Sequence, residues 1–241
     1  MQINFTLHSV APSEVLARRQ VENERYLCPP PKGCGPIAIV GNGPSIKRHL
    51  RDIQEYPTIW AINSAVRTLR DAGIQSTLFS IDPMPAIAEF SPMSRISILT
   101  DVAHPDAIKN AYTLYMVPTE TLIHGSTSAT AAPHIALEAG YSHLRFFGCE
   151  GSFEGMTHAD QDLDTTRLDV VCNGDIYETN PQMFIQCQAL APLLRDAPEY
   201  FAESSGGLLT AMVQDENYDI VRADEAFAAQ LEYGQDDGIH E

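Results

Sequence analysis

The fold is decided by residues 36–51, PIAIVGNGPSIKRHLR. This stretch joins an apolar run at residues 37–40 to a glycine turn and then to a polar segment with amphipathic spacing. An unbroken apolar run predicts a strand that is buried on both faces, as in a parallel sheet. Gly41 and Gly43 are able to adopt positive φ angles and to admit a ligand close to the backbone. We expect a helix to open at Pro44 or Ser45.

The turn after this strand is a candidate phosphate-binding loop. A glycine turn that leads into a helix presents unpaired N–H groups and the positive end of the helix dipole, which suits a phosphate. The motif is neither the dinucleotide fingerprint nor a P-loop, so a plain strand-to-helix turn is the alternative. If the loop binds phosphate, the contacts come from Gly41, Asn42, Gly43 and Ser45. Gly43→Val is then expected to abolish nucleotide binding and to leave the fold intact.

The pattern continues outward from this stretch as an alternation of strands and helices. Further strands are predicted at residues 58–62, 77–81, 96–99, 113–117 and 144–147, and helices at residues 65–72, 104–110, 129–139 and 182–197. Such alternation predicts βαβ units, and hence an α/β, Rossmann-like fold with a mostly parallel sheet and helices on both faces. We divide the chain into an N-terminal helical extension with a Pro-rich linker (1–35), a Rossmann-like nucleotide-binding domain (36–214) and an acidic C-terminal tail (215–241).

Polar residues follow several of the predicted strands. Asn63 ends the second strand, Asp82 the third, and Glu150 closely follows the strand at residues 144–147. Ligands of open parallel sheets bind beyond the carboxyl ends of the strands, so we expect these side chains to share one site with the glycine turn. Ordinary turn chemistry explains each residue taken singly, and that alternative stays open.

A second candidate anion site precedes the alanine-rich helix. Gly125, Ser126, Thr127 and Ser128 offer hydroxyl and N–H groups at its N-terminus. Such a run either caps the helix and nothing more, or caps it and also cradles an anion.

Residues 148–180 carry many carboxylates and little helical or strand pattern, so we predict a long functional loop. Carboxylates of this kind hold Mg²⁺ against phosphate oxygens, and we name Asp82 and Glu150 as candidate metal ligands. His158 is the candidate for proton transfer, with a solvated surface histidine as the alternative.

Composition narrows the class of protein. The 241 residues carry a net charge of −17, which argues against a broad nucleic-acid surface but permits a nucleotide bound through N–H groups or a metal. No apolar run approaches the ~20 residues of a membrane helix, and the first residues do not read as a secretory signal. Five scattered cysteines suggest reduced thiols and a cytoplasmic protein. The oligomeric state stays open, a homo-oligomer included.

The ordered set of motifs resembles the Rossmann-fold 6-hydroxymethylpterin diphosphokinase (MptE-like) family over roughly residues 36–212. The motifs that carry the resemblance are the Gly-Asn-Gly-Pro-Ser turn at 41–45, Asn63, Asp82, the Gly-Ser-Thr-Ser run at 125–128, Phe-Gly-Cys-Glu at 147–150, and Gly-Met-Thr-His-Ala at 155–159. More distantly, the chain is similar to bacterial lipooligosaccharide-type sialyltransferases.

The resemblance implies a transferase for a nucleotide-activated group. In the first family, ATP lies over residues 41–45 with Mg²⁺ on acidic groups such as Asp82, and a small hydroxylated, pterin-like acceptor receives a diphosphate. In the second, a CMP-sugar is the donor and His158 is the base. A non-catalytic nucleotide-binding or assembly protein on the same fold is the third hypothesis, because a fold does not fix the chemistry.

Overall fold

A computed structural model describes residues 11–121, 127–159 and 166–223 of the chain. Its centre is a seven-stranded sheet in the order β5-β4-β3-β2-β1-β6-β9, with every neighbouring pair parallel. The strands are β1 (Pro36–Val40), β2 (Ile59–Ile62), β3 (Thr77–Ser80), β4 (Ile96–Thr100), β5 (Thr113–Val117), β6 (His143–Phe147) and β9 (Phe201–Glu203). The predicted α/β, Rossmann-like fold is confirmed, and so are the six strands expected from the sequence.

The strand order reverses beside β1. From β1 the chain adds β2 to β5 on one side, and it then returns to place β6 on the other side. Such a reversal leaves a crevice at the carboxyl ends of the two central strands, which is where ligands bind in folds of this class. The turn after β1 and the turn after β6 both lie at this crevice.

Helices cover both faces of the sheet. They are α1 (Ser13–Asn23), α2 (Leu50–Gln54), α3 (Ala65–Asp71), α4 (Ile87–Phe90), α5 (Pro105–Asn110), α6 (Ser128–Ala139), α7 (Pro181–Asp196) and α8 (Gly207–Gln214). Alternate strand residues divide the core in two: Ile37 and Ile39 pack with α6 and α7, whereas Ala38 and Val40 pack with α2 and α3. Because β1 is buried on both faces, its sequence shows no polar alternation.

The predicted long loop is only partly a loop. Within residues 148–180 the chain forms the hairpin of β7 (Leu168–Cys172) and β8 (Asp175–Thr179), and β10 (Tyr218–Ala223) pairs antiparallel with β7. Leu168, Val170 and Cys172 point into the same core cluster as α7. The alternation in this strand is short and mixed with charges, which is why the sequence pattern misses it. The strand β10 likewise replaces part of the expected surface tail.

The N-terminal segment packs on the sheet. Asn23, which is buried, donates hydrogen bonds to the carbonyls of Asp101 (2.8 Å) and Ala103 (3.2 Å). Farther along, Cys28 exchanges two backbone hydrogen bonds with Met116 of the edge strand β5. None of the helices in the described ranges is long and apolar enough to cross a membrane.

Candidate functional site

A cavity of about 340 Å³ opens at the carboxyl ends of the central strands. It brings together most of the predicted site residues of the described ranges: Gly41, Asn42, Gly43, Asn63, Asp82, Thr127, Ser128, Glu150 and His158. The topology therefore assembles in space what is dispersed over more than a hundred residues of sequence. Ser45 does not line the cavity.

The glycine turn is shaped by close contact with the turn after β6. The Gly43 N–H donates to the carbonyl of Gly148 at 2.9 Å, and a Cβ on Gly41 would overlap that same carbonyl. Neither Gly41 nor Gly43 has a positive φ, and Gly43 lies at −68°. The sequence requires glycine here, as predicted, but the reason is the close approach of two backbones and not a left-handed conformation.

The segment after the turn corrects the expected phosphate helix. Residues Pro44–Arg48 form a short 3-10 helix that begins at Pro44, and the amide N–H of Ser45 points at an internal carboxylate. A single 3-10 turn sums few aligned peptide dipoles, so the predicted dipole at this point is weak. Ser45 is fully buried, and its expected role as a phosphate ligand does not agree with this geometry.

The carboxylate that engages Ser45 belongs to Glu150. One oxygen accepts the Ser45 N–H at 2.7 Å and the other accepts the Ser45 O–H at 2.8 Å. Glu150 is 1% exposed, and burial raises the pKa of its carboxyl group, against the lowering effect of the hydrogen bonds. A Cβ on Gly43 would overlap this carboxylate. Glu150 therefore anchors the glycine turn, and Gly43→Val would disturb the fold as well as the cavity.

Asn42 is also committed to the protein. Its side-chain amide donates to Ser64 Oγ at 2.9 Å, and its carbonyl oxygen accepts from Thr68 Oγ1 at 2.8 Å. These bonds tie the turn after β1 to the start of α3. The side chain of Asn42 therefore stabilises the conformation of the loop.

Asn63 and Ser128 connect β2, β3 and α6 at the opposite wall. Asn63 adopts a positive φ of 48°, which Asn tolerates better than most residues. Ser128 Oγ lies 3.4 Å from Asn63 Oδ1 and accepts the N–H of Ile81 at 3.1 Å. The hydroxyl therefore fixes the start of α6 against the end of β3.

The N-terminus of α6 is the better anion site of the two that the sequence offered. Thr127 caps the helix through a capping box with Thr130. Thr127, Ser128 and Ala129 all line the cavity, and the N–H groups of Ser128 and Ala129, unlike that of Thr130, do not take part in the capping box. At twelve residues, α6 has the dipole that the 3-10 turn lacks. Gly125 and Ser126, which were predicted to join this cradle, lie outside the described residues.

Asp82 lies at the mouth of the cavity, half-buried. Its Oδ1 accepts the N–H of Met84 at 2.8 Å, and burial raises the pKa of its carboxyl group above the ordinary value. Arg19 of α1 donates to the carbonyl of Pro83 at 2.6 Å, so the N-terminal helix holds the Asp82 turn in place.

His158 reaches the cavity on an arm that follows β6. Its Nδ1 lies 3.1 Å from Thr157 Oγ1, and the next residue, Ala159, donates its N–H to the carbonyl of Asn42 at 2.8 Å. The glycine turn and the histidine are therefore fixed to each other. The neighbouring carboxylates Asp160, Asp162 and Asp164 lie outside the described residues.

Both predicted magnesium ligands, Asp82 and Glu150, line the cavity. Both carboxylate oxygens of Glu150 accept hydrogen bonds from Ser45. Asp82 is the other proposed ligand. Within the described ranges, no group of three or more His, Cys, Asp and Glu side chains is arranged to hold a metal. Because Mg²⁺ is usually held by one or two carboxylates together with waters and substrate phosphates, binding of the ion by Asp82 and Glu150 stays a prediction.

One wall of the cavity, at the start of α7, was not predicted from the sequence. Asn180, Gln182, Met183 and Gln186, at the start of α7, complete the lining together with Thr157 and Ser152. Asn180 caps α7 by accepting the N–H of Met183 at 2.8 Å, with Pro181 at the first helical position. The Asn-Pro pair is a helix-start signal that would have located this wall. Among the described lining residues there is no Lys or Arg.

Comparison with known proteins identifies the fold. No protein-family profile matches the chain, and neither does any curated protein. Among solved structures, the chain is similar to the MAf glycosyltransferase from Magnetospirillum magneticum AMB-1, with a TM-score of 0.62 and 16% sequence identity. The match covers 91% of this chain and 40% of that protein, so this chain spans less than half of its length. At this level of identity the likeness establishes a common fold.

Proposed function

We propose that the chain is a transferase that binds a nucleotide-activated sugar in this cavity and passes the sugar to a hydroxylated acceptor. The observation that carries the proposal is the convergence of the turn after β1, the N-terminus of α6 and His158 on one cavity at the strand-order reversal. The similarity in fold to a protein named as a glycosyltransferase supports it.

The charge of the cavity favours a nucleotide sugar over a triphosphate. No Lys or Arg lines the described part of the cavity, and Glu150 is a buried carboxylate beside it. A triphosphate carries more negative charge than a nucleotide sugar and depends more on cations for its binding. The hydroxyl and amide side chains of Ser152, Gln182 and Gln186 suit the neutral hydroxyl groups of a sugar.

In the proposed reaction, His158 accepts the proton of the acceptor hydroxyl. The acceptor oxygen then forms a bond to the anomeric carbon of the sugar. The bond from that carbon to the phosphate oxygen breaks, and its electron pair leaves with the nucleotide. The N–H groups of Ser128 and Ala129 at the start of α6 face the charge that grows on the phosphate.

Thermal unfolding with a ligand panel tests the proposal. The panel contains CMP, UDP, GDP, their sugar conjugates and ATP, each with Mg²⁺ and with EDTA. A ligand at ~100 times its Kd adds about 2.7 kcal/mol to the free energy of unfolding, which gives a measurable shift. We expect a nucleotide or its sugar conjugate to stabilise the chain. His158→Asn should keep the shift and slow sugar transfer by about 10²–10⁴-fold.

His143→Asn is the matched control, because His143 begins β6 at the opposite edge of the sheet and is exposed. It should change neither binding nor transfer. A Mg²⁺-dependent shift with ATP and release of AMP would instead favour a diphosphokinase, the second candidate, for which Asp82 at the cavity mouth is the supporting residue. Stabilisation without turnover of any donor would favour a non-catalytic binding protein. No shift with any ligand would contradict the proposal.

A further inference from the structure

A second cavity, of about 490 Å³, lies at the amino ends of β2, β3 and β4. It is larger than the candidate site, and it lies at the other edge of the sheet. Strands of four and five residues separate the two edges by about 13–16 Å, at about 3.3 Å per residue. The second cavity is therefore not a subsite of the first, and nothing in the proposed transfer reaction uses it.

The roof of this cavity is a fixed part of the fold. Pro30 and Pro31 form it, and the chain is tied down on both sides of them. On one side, Cys28 and Met116 exchange backbone hydrogen bonds of 3.0 and 2.8 Å. On the other side, the N–H of Gly33 donates to the carbonyl of Ala139 at 2.7 Å. Because proline has a restricted φ, this strap is stiff between its two ties.

Three aromatic side chains contribute to the lining of this cavity. Trp60 stacks on Phe79, with ring centroids 5.4 Å apart and planes 5° apart, and meets Tyr141 edge-on at 5.8 Å. Trp60, Tyr141 and Tyr115 all line the cavity. Rings held in this way offer a rigid apolar surface that a planar molecule covers without a loss of side-chain freedom.

Trp60 also brings an unused hydrogen-bond donor. The residue is 2% exposed, and its indole N–H makes no hydrogen bond to the rest of the described chain. The nitrogen is not sealed in the core, in contrast to Ser97 Oγ and Thr100 Oγ1, which are buried without partners. A buried indole N–H usually finds an acceptor, so a ligand in this cavity would complete it.

A positively charged side chain, that of Arg95, lies beside the aromatic residues. Arg95 lines the cavity, is exposed, and forms no ion pair or hydrogen bond with the described residues. In a chain with a net charge of −17, this arginine brings a positive charge to the lining of the cavity. We propose that the cavity is a second ligand site for a small planar, largely apolar anion, such as an aromatic carboxylate. Its rings would pack near Trp60 and Tyr141, and its anionic group would face Arg95.

The fluorescent aromatic anion anilinonaphthalene sulfonate, titrated into the full chain, is a suitable probe. Trp60 is the single tryptophan, so excitation of tryptophan reports dye near it by energy transfer. We expect saturable binding of one dye per chain, with weaker binding of the uncharged analogue N-phenylnaphthylamine. Arg95→Gln should weaken dye binding about fivefold, the scale of a partly exposed charge pair. Arg70→Gln is the matched control, since Arg70 pairs with Asp71 away from the cavity.

Thr77→Phe supplies a second, independent variant. Thr77 lines the cavity at the start of β3 and is half-buried, so a phenyl ring there fills the space. We expect this variant to lose dye binding while its thermal unfolding midpoint confirms that it is folded. Binding that does not saturate, or that is unchanged in both Arg95→Gln and Thr77→Phe, would overturn the proposal. Displacement of the dye by a nucleotide would also overturn it, because it would place the dye in the candidate site.

Discussion

At the scale of single residues, the same side chains serve the fold and the cavity. Glu150, a predicted metal ligand, accepts hydrogen bonds from the N–H and the O–H of Ser45. Gly43 is small because this carboxylate lies against it. The turn after β1 is thus a preformed surface whose shape depends on a carboxyl group that follows β6, five strands later in the sequence but on the neighbouring strand in the sheet.

The buried carboxylate of Glu150 makes stability depend on pH in a definite direction. Burial raises its folded-state pKa above the ordinary value of 4.5. Between these two pKa values the folded chain keeps a proton that the unfolded chain has lost, so the free energy of unfolding falls as pH rises. In Glu150→Gln this contribution is absent, and the stability of the variant relative to the wild type should rise with pH above 4.5. Urea unfolding at a series of pH values measures the difference.

Glu154→Gln is the control for this measurement. The Arg48 guanidinium hydrogen-bonds to Glu154 and lowers the pKa of that carboxyl group, so its contribution is lost as pH falls. The two variants should therefore differ from the wild type with opposite dependence on pH. A flat difference between Glu150→Gln and the wild type from acid to neutral pH would contradict the assignment of a raised pKa.

At the scale of elements, two helix starts compete for the role of anion site. In the 3-10 turn at Pro44–Arg48 the N–H of Ser45 donates to Glu150, whereas α6 begins at the cavity with a full capping box. Sequence motifs identified both starts, but helix length and the direction of the N–H groups separate them. Because the first turn of α6 forms part of the cavity, a change that destabilises this turn should also disturb the candidate site.

Thr127→Ala tests the cap of α6. The Thr127 hydroxyl accepts the N–H of Thr130 at 3.3 Å, and loss of such an N-cap costs about 1 kcal/mol. For a chain of this size that loss lowers the thermal midpoint by roughly 2–4 °C. Thr127→Ser keeps the oxygen and should match the wild type. Equal midpoints for the Ala and Ser variants would contradict a stabilising cap.

At the scale of the whole molecule, the N-terminal segment belongs to the packing of the sheet. Its helix α1 hydrogen-bonds to the turns after β3 and β4, and its proline strap roofs the second cavity. Both cavities therefore depend on a segment that the sequence presented as an extension. The net charge of −17 is compatible with both proposals, because the groups proposed to face an anion are the backbone amides at the start of α6 and the side chain of Arg95.

Asn23→Ala measures how much this packing contributes. The change leaves the carbonyls of Asp101 and Ala103 without their donor in a buried place. We expect a loss of about 2 kcal/mol, which corresponds to roughly 4–8 °C in the thermal midpoint. Glu22→Ala, on the same helix with an exposed side chain, should change the midpoint little. A midpoint for Asn23→Ala equal to that of Glu22→Ala would mean that α1 does not stabilise the domain.

The α/β class of the fold and the succession of strands and helices along the chain could be predicted from the amino-acid sequence alone. Apolar runs without alternation marked the strands at 37–40 and 59–62 because burial on both faces leaves no polar side. The helix predicted at residues 65–72 ends before Gly73, which has a φ of +76°, a conformation that glycine adopts readily after a helix. These features depend on the residue types within a short segment, so they can be predicted from the sequence.

The contacts between the predicted site residues and their hydrogen-bond partners became clear from the tertiary structure alone. The strand order brings Glu150 to Ser45 across a separation of 105 residues, and the resulting hydrogen bonds engage both side chains within the protein. The hairpin of β7 and β8 was not visible in the sequence, because each strand is short and gains its stability by packing on α7. Long-range contacts of this kind depend on the order of the strands in the sheet. No short segment of the sequence fixes that order.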